Sequence, residues 1–408
     1  MDFEPWWLII VPVLFALGWI AARVDIRQML SETRTLPKSY FKGLNFLLNE
    51  EPDRAIDAFI EVAKLDPETT ELHFALGSLF RRRGEMERAI RVHHSLLARA
   101  DLPAADREMA QHELGHDYLR AGMLDRAEAA FISVLDTRFA VDAIRSLIRI
   151  YEVGHEWDRA IEAVKKLQAL VDEPVPQLAH YHCEKAEMAL AANPPNVSAA
   201  SSALDAADHA ADVMRGDERE QAAKARIAML RARLLEISGN TDGQRTWLAS
   251  VLTTAPQYGS LIAAELLACY HKLDQADEGL ALLRAHYQQH PSLDTFNLVF
   301  RELREQQGHK AAWAFARDAL RAHPSLLALD RLLESELAAA RDGNQASDLK
   351  AAAGADLGLL RSIIHKHTQR LDRYTCRVCG FEARHYYWQC PGCNSWETYQ
   401  PRRVEELQ

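Results

Sequence analysis

Four cysteines near the C-terminus carry the most specific chemistry that this sequence encodes. Cys376 and Cys379 form one Cys-x-x-Cys pair, and Cys390 and Cys393 form a second pair shortly after it. Each pair places two thiolates at the spacing of a tight turn, so four sulfur atoms can surround one metal ion as a tetrahedron. The pattern predicts one iron or zinc ion bound by these four residues. Both metals accept four thiolates, so the spacing does not choose between them.

The residues around the cysteines favour a metal site over two disulfides. Gly380 follows the first pair, and Pro391 and Gly392 lie inside the second, which suits the tight turns of metal knuckles. Seven aromatic residues near the site could form a small core: Tyr374, Phe381, Tyr386, Tyr387, Trp388, Trp396 and Tyr399. We therefore predict a metal-binding module at 372–401, followed by a tail at 402–408. A module of this size should not fold without its metal.

A second candidate metal site lies at residues 112–116, where the sequence HELGH matches H-E-x-x-H. On a helix this spacing puts His112 and His116 on one face as zinc ligands, with Glu113 as the general base of a metallopeptidase. Two observations oppose this function. Gly115 already fits a packing repeat, and no third ligand stands out downstream. We predict that the chain is not an enzyme and has no catalytic residues, and we keep a zinc metallopeptidase as an alternative.

Other polar clusters are interpreted as solvated surface. Residues 81–83 are three consecutive arginines, which predict a solvated helix end, and His93 and His94 are expected at the surface. The chain has 48 Lys and Arg against 58 Asp and Glu, a formal net charge of −10. This balance opposes general nucleic-acid binding, so we expect no nucleic-acid partner.

The other two cysteines bear on the cellular compartment. Cys183 and Cys269 lie in apolar helical stretches and are predicted to be buried thiols without a disulfide. A thiolate metal site with so few other cysteines implies a reducing environment. The bulk of the chain is therefore expected in the cytoplasm.

The N-terminus predicts a membrane anchor over residues 1–22. The stretch Trp6–Ala22 has no charged residue, and its 17 residues would span roughly 26 Å as a helix, close to a hydrocarbon core of about 30 Å. Four basic residues follow the span: Arg23, Arg27, Arg34 and Lys38. The positive-inside rule then predicts a single-pass membrane protein whose N-terminus lies outside the cytoplasm and whose bulk, after a linker at 23–36, lies in the cytoplasm.

Residues 37–371 repeat a pattern with a period of about 33 to 38 residues. The recurring alanine stands at Ala55, Ala89, Ala127 and Ala160. A position in the preceding helix holds Gly43, Gly77, Gly115 and Ile148, and a bulky position follows each alanine at Phe59, His93, Phe131 and Val164. The pattern resembles the tetratricopeptide repeat, in which each unit is a pair of antiparallel helices. It predicts an all-α solenoid of about eight or nine repeats whose concave face is built by the first helices.

The pattern weakens between residues 172 and 225 and again toward the metal module. The Ala-rich run at 199–211 is a candidate helix, and residues 341–356 predict a break or loop before a last helix that ends near Leu371. The module begins a few residues later, and the last repeat of a solenoid needs its apolar face covered. We therefore expect Trp388 or Trp396 to dock on the helices.

The order of these parts resembles the lipopolysaccharide assembly protein B family of Gram-negative bacteria. The strings CRVCGF from Cys376 and WQCPGC ending at Cys393 carry the likeness most specifically, and the module they form is similar to rubredoxin. The resemblance covers essentially the whole chain. It implies a scaffold or adaptor at the inner membrane that regulates lipopolysaccharide biosynthesis.

The same resemblance implies specific partners. These are a membrane-bound ATP-dependent zinc protease, the lipid A biosynthetic deacetylase that it would degrade with the adaptor's help, and a lipopolysaccharide-sensing inner-membrane protein that would oppose the adaptor. The pattern does not identify the residues that contact them. A homo-oligomer is also left open.

Three classes of function therefore compete. A regulatory scaffold uses the anchor, the repeats and the metal module together. A rubredoxin-type electron-transfer protein on a scaffold would need iron with a reversible redox couple. A metallopeptidase would need a second equivalent of zinc that depends on His116.

Overall fold

The computed structural model describes residues 38–49, 51–65, 69–171, 175–214, 216, 218–342, 348–369 and 371–407, together with Phe15 and Trp19. Apart from those two residues, the predicted span Trp6–Ala22 and the linker after it lie outside the described residues. Within the described part, none of the helices combines the length and apolar character that a membrane crossing requires. The chain divides into two compact units, Met1–Ile150 and Tyr151–Gln408.

The first unit is built from antiparallel helix pairs. Its helices are α1 (Lys38–Leu48), α2 (Pro52–Leu65), α3 (Thr70–Arg82), α4 (Met86–Leu97), α5 (Ala104–Arg120), α6 (Leu124–Ile132) and most of α7 (Ala140–Val153). Helix α1 packs on α2, α3 on α4, and α5 on α6, while α3 also contacts α5 in the next pair. Gly84 and Gly122 lie between the helices of their pairs with φ of +81° and +74°, a conformation that favours glycine.

Close helix contact in these pairs depends on small residues in the first helix. A Cβ atom added at Gly43 would lie 2.6 Å from the ring of Phe59, and one at Gly115 would lie 2.8 Å from the ring of Phe131. Both phenylalanines are buried, with exposed fractions of 1% and 0%. The small residue of one helix thus receives the bulky residue of the other, as the repeat pattern predicted. The all-α tetratricopeptide fold is confirmed.

The pair formed by α3 and α4 has a polar side chain in the bulky position. His93 packs over Gly77 and is completely buried, so the prediction that it lies at the surface is wrong. Its Nδ1 lies 2.6 Å from Oδ2 of buried Asp117, and Oδ1 of Asp117 accepts a hydrogen bond from Arg81 at 2.8 Å. Arg81 is therefore not part of a solvated helix end, contrary to the sequence interpretation. The network gives Nδ1 of His93 and both carboxylate oxygens of Asp117 a partner, whereas the buried Nε2 of His93 has none among the described residues.

The second unit continues with helix pairs and ends in a small module with two short strands. Its helices are α8 (Trp157–Leu170), α9 (Gln177–Ala191), α10 (Val197–Asp212), α11 (Glu218–Ile237), α12 (Thr241–Thr254), α13 (Gly259–Lys272), α14 (Ala276–Gln289), α15 (Leu293–Gln307), α16 (His309–Ala322), α17 (Leu326–Asp342) and α18 (Asp348–Thr368). Helix α9 pairs with α10, α11 with α12, α13 with α14, α15 with α16, and α17 with α18. The strands are β1 (Tyr374–Thr375) and β2 (Glu382–Ala383).

Two stretches with weak repeat signal are nevertheless helical. The Ala-rich run forms α10, where the side chain of Asn196 caps the helix by accepting a hydrogen bond from the backbone N–H of Ala199. Its buried alanines allow close packing on α9 and α11. Helix α18 begins at Asp348, so the prediction of a loop up to residue 356 is wrong from that residue on. Gly354 lies inside this helix, where glycine is tolerated at a cost of about 1 kcal/mol relative to alanine.

Two glycine substitutions should have opposite effects on stability. Gly115→Ala places a methyl group against Phe131 and should lower the free energy of unfolding by about 1–3 kcal/mol. Gly358→Ala is the matched control, because nothing lies within 4 Å of the added Cβ. It should raise the free energy of unfolding by about 0.5–1 kcal/mol. Urea denaturation followed by circular dichroism measures both, and equal effects of the two changes would contradict the packing role of Gly115.

Candidate metal centre

Two tight turns position the four cysteines in the C-terminal module. Strands β1 and β2 pair antiparallel, and the loop between them carries the first cysteine pair. The N–H of Gly380 donates to the carbonyl of Cys376 at 2.9 Å, and Gly380 has φ of +73°. In the second turn the N–H of Asn394 donates to the carbonyl of Cys390 at 2.8 Å, and Asn394 has φ of +56°. Both turns therefore have the same local geometry.

The sulfur atoms have the spacing of a tetrahedral metal site. Sγ of Cys376 lies 3.8 Å from that of Cys393, and Sγ of Cys379 lies 3.7 Å from that of Cys390. A metal–sulfur bond of about 2.3 Å places two tetrahedral sulfurs about 3.8 Å apart. All four ligand atoms lie within 4.8 Å of one another. A four-cysteine metal-binding site is thus present at these residues, and its donor set accepts zinc or iron.

The four cysteines differ in their surroundings. Cys376 and Cys390 are buried, whereas Cys379 is exposed and Cys393 is partly exposed. Burial opposes ionisation of Cys376, but hydrogen bonds from the Thr398 hydroxyl and from backbone N–H groups hold the pKa of its thiol at about 6. A hydrogen bond from Ser395 likewise lowers the pKa of the Cys393 thiol, so the chain favours the thiolate form of both residues before a metal binds. A metal ion would stabilise all four.

Tyr399 forms the centre of the module's core. It has an exposed fraction of 2%, and its hydroxyl donates a hydrogen bond to the carbonyl of Phe381 at 3.2 Å. Tyr374, Cys376 and Cys390 are the other buried members of this cluster. A core of this size is too small to be stable alone, so the metal supplies the missing free energy.

Trp396 docks the module on the helices of the second unit. Its ring stacks on His180 of α9 with centroids 5.1 Å apart and planes at 15°. Its indole N–H donates to Glu152 Oε1 at 2.7 Å, and the hydroxyl of Tyr181 donates to the same oxygen at 2.6 Å. Burial raises the pKa of Tyr181, with the Glu152 carboxylate acting in the same direction, so this hydroxyl remains a donor. The expectation that Trp396 packs on the helices is confirmed.

A buried chain of polar groups lies beside Trp396. Nε2 of His180 lies 2.6 Å from Glu397 Oε1, and Arg226 of α11 lies 3.4 Å from Nδ1 of the same ring. Burial lowers the pKa of His180, so its ring is neutral at pH 7. A neutral ring accepts from Arg226 at Nδ1 and donates to Glu397 at Nε2. Arg226 is itself paired with Glu184 and Glu187, at 2.6 Å and 3.2 Å.

Trp388 makes a second aromatic contact with the helices. Its ring stacks on Tyr258, with centroids 5.5 Å apart and planes at 25°. Tyr386 meets the same tyrosine edge-on at 6.3 Å, and Ser260 of α13 donates to the carbonyl of Pro401 at 3.2 Å. The guanidinium of Arg226 in α11 lies 5.8 Å from the ring centroids of Trp388 and Trp396, so the module contacts α11 and α13 as well as α9.

The residues after 401 dock on α15 and α17, which are the first helices of the last two pairs. Arg403 binds both carboxylate oxygens of Asp294 in α15, at 3.1 Å and 3.2 Å. Glu406 accepts from the backbone N–H of Leu293, and Glu405 accepts from that of Leu326 at the start of α17. Carboxylates at helix N-termini satisfy free N–H groups and interact favourably with the helix dipole. The segment interpreted as a tail thus caps two helices.

Sequence reasoning missed the helix side of this interface. Trp388 and Trp396 were expected to dock, but their partners Glu152, His180 and Arg226 have no motif of their own. A weak signal existed, because an unpaired charge is unfavourable on an apolar helix face. The residues three and four positions from Arg226 are all apolar: Ala222, Ala223, Met229 and Leu230.

The HELGH segment belongs to the first unit, whereas the cysteine module belongs to the second. Its two histidines meet a carboxylate that the sequence did not reveal: Nε2 of His112 and of His116 lie 2.7 Å and 2.9 Å from Asp142 Oδ2. Glu113 does not join them, because its carboxylate pairs with Arg81. The residue that a peptidase would use as general base is therefore engaged elsewhere.

Loss of one cysteine should remove the metal. Cys393→Ser leaves three thiolates and a core too small to fold, so the metal content should fall from one ion per chain to well below half. Cys269→Ala is the matched control, because Cys269 is a buried thiol in α13 and should leave metal content unchanged. Elemental analysis of freshly reduced protein measures both. Full metal content in Cys393→Ser would contradict the assignment of the site.

Removal of the Trp396 ring should weaken docking. Trp396→Ala loses the stack on His180 and leaves Glu152 without its indole donor, so the free energy of unfolding of the second unit should fall by about 3–5 kcal/mol. Val378→Ala, at a residue of the module that is 64% exposed, should change it by less than about 0.5 kcal/mol. Denaturation curves and limited proteolysis between α18 and β1 report the loss. A module that tumbles independently in NMR spectra of the unaltered chain would be inconsistent with docking.

Comparison with known proteins places this architecture in a family. A family model described as a rubredoxin metal-binding domain matches residues 374–401. Among solved structures, the chain is similar to a tetratricopeptide repeat protein from Parabacteroides merdae (13% identity, 72% of this chain and 98% of that one, TM-score 0.31). It is also similar to the C-terminal part of a repeat protein from Cytophaga hutchinsonii (10% identity, 68% and 98%, TM-score 0.39).

Curated relatives align over nearly the whole chain. Lipopolysaccharide assembly protein B of Haemophilus influenzae is 28% identical over 411 residues, which is 98% of each chain. Lipopolysaccharide assembly protein B of Escherichia coli K12 is 30% identical over 398 residues, which is 97% of each chain. With this identity over its full length and a matching metal module, the chain belongs to the lipopolysaccharide assembly protein B family.

Proposed function

We propose that this chain is a non-enzymatic adaptor in lipopolysaccharide assembly. The observation that carries the proposal is the 30% identity over 97% of both chains with a protein named for that process. The architecture suits an adaptor, because paired helices offer a large surface for a protein partner and tetratricopeptide repeats are built for such binding. In the metal centre, the four cysteines stabilise a docked module, and none of them has a base or nucleophile role.

We further propose a cellular location for the adaptor and a protein whose degradation it promotes. Residues 1–22 anchor it in the inner membrane, with the N-terminus in the periplasm and residues 37–401 in the cytoplasm. There it promotes degradation of the lipid A biosynthetic deacetylase by a membrane-bound ATP-dependent protease, under control of a lipopolysaccharide-sensing membrane protein. The uncharged stretch Trp6–Ala22 and the basic residues after it support this topology.

The docked module suggests which helices bind the partner. Within the second unit the module contacts residues of α7, α9, α11, α13, α15 and α17, which are the first helices of their pairs. In the first unit, α1, α3 and α5 have the same position in their pairs, so their exposed residues form an equivalent face. We propose that face as the site of partner binding. A pull-down from native membranes with the anchor intact would test this face. Substitution of exposed residues on α3 and α5 should reduce the amount of partner recovered.

Electron transfer is the second candidate, favoured by one observation. Cys379 is exposed at the edge of the metal site, so a redox partner could approach that sulfur. Reconstitution of the purified chain with zinc, which has no redox chemistry, distinguishes the two functions. Adaptor activity should persist with zinc, whereas electron transfer should disappear.

The anchor should act as a tether. Deletion of residues 1–22 should leave a folded helical protein whose effect on deacetylase turnover in cells is weaker, because the effective concentration at the membrane falls. An unrelated span of the same orientation should restore most of the effect. The half-life of the deacetylase measures both variants. Failure of every foreign span would mean that Trp6–Ala22 makes specific contacts of its own.

A further inference from the structure

We propose that the first unit holds a second metal site, made by His112, His116 and Asp142, which binds a divalent transition ion such as Zn²⁺. The two histidines stand one turn apart on α5, and Asp142 lies in the first turn of α7. Their ligand atoms converge: the two Nε2 atoms are 3.3 Å apart, and Asp142 Oδ2 is 2.7 Å from His112 and 2.9 Å from His116. This proposal does not depend on the proposed adaptor function.

The distances between the three ligand atoms are close to those of a tetrahedral zinc site. Zinc bonds of about 2.0–2.1 Å to nitrogen and oxygen place tetrahedral ligand atoms about 3.3 Å apart. The observed nitrogen–nitrogen distance has this value, and the two oxygen distances reach it with a small outward shift of the carboxylate. That shift is available, because the side chain of Asp142 is 55% exposed. The same exposure gives an ion access and leaves a coordination position for water.

Aromatic packing fixes the orientation of both imidazole rings. Phe139 stacks on His112 with centroids 4.5 Å apart and planes at 19°, and Phe131 meets the His116 ring edge-on at 5.1 Å. A ligand set whose rings are already held loses little conformational entropy when the ion binds.

A metal-binding histidine usually donates a hydrogen bond from its second ring nitrogen, and Nδ1 of His112 has a candidate acceptor in Glu113. Its Nδ1 is buried and has no hydrogen bond to any residue that the structure describes. Oε1 of Glu113 lies 3.9 Å from it. Metal ligation at Nε2 requires the ring proton on Nδ1, which usually donates to a carboxylate. A small movement of Glu113 toward His112 would supply that acceptor.

The site would be structural and would not perform peptide hydrolysis. Oε2 of Glu113 pairs with Arg81, and Arg81 also binds buried Asp117. Glu113 therefore cannot act as the base on a metal-bound water. A metal on these three ligands would connect α5 to α7, the first helices of two successive repeats, and so stabilise the first unit.

A titration of the full chain tests the site. The protein is first loaded with zinc at the four-cysteine centre, and Co²⁺ is then added and followed by absorption. Cobalt bound by two nitrogens and an oxygen gives visible bands without the thiolate-to-metal band that a cysteine site produces. One equivalent should bind to the unaltered chain and raise the melting temperature. His116→Gln and Asp142→Asn should each weaken this binding at least about tenfold. Loss of a residue that merely hydrogen-bonds to a metal ligand already causes a loss of that size.

His290→Gln is the matched control. His286 and His290 are also one turn apart with stacked rings 5.2 Å apart, but among the described residues no carboxylate bridges them. This variant should keep the second equivalent. No binding beyond the four-cysteine site, or a second equivalent kept by both His116→Gln and Asp142→Asn, would overturn the proposal. Circular dichroism of each variant shows whether the repeats remain folded, and should one unfold, the other decides.

Discussion

Metal–thiolate bonding is the interaction on which the C-terminal half of this molecule depends. The module from Tyr374 to Pro401 has four residues in its buried cluster, and two of these are cysteines. Such a core cannot offset the conformational entropy of ordering about thirty residues. An ion bound by the four sulfurs would compensate for that deficit. It would also hold the turns that orient Trp388 and Trp396 and so support the docking.

Docking in turn makes distant helices depend on one another. Glu152 in α7 and Leu326 in α17 are far apart in sequence, yet both bind residues of the same module. In a repeat array each pair ordinarily contacts its neighbours alone, so pairs can unfold locally. A module that binds six first helices of the second unit removes that independence. Its loss should therefore affect the whole second unit and not its last pair alone.

The sequence predicted features that rest on local spacing and missed those that rest on burial. The cysteine knuckles, the turn glycines and the Gly115 and Phe131 positions follow from fixed offsets along the chain, so they were predictable. His93 was assigned to the surface because histidine is usually exposed, although the repeat places a bulky core residue there. Asp142 was missed because its partners lie in another repeat, and no spacing rule connects α5 to α7. The start of α18 was misplaced because residues 341–356 lack the repeat pattern, whereas the helix from Asp348 on packs on α17.

At some buried positions a polar ring with charged partners replaces an apolar ring. Where Phe59 and Phe131 fill the space above a small residue with apolar rings, His93 fills it with a ring that needs a partner. Asp117 supplies that partner, and Arg81 balances its charge. The second unit has a related network at His180, whose Nε2 faces Glu397 and whose Nδ1 faces Arg226. A buried ion network is weak support for stability but requires one specific arrangement of its members. At His180 that requirement selects the orientation of the metal module, since no apolar contact alone would align Glu397 with this ring.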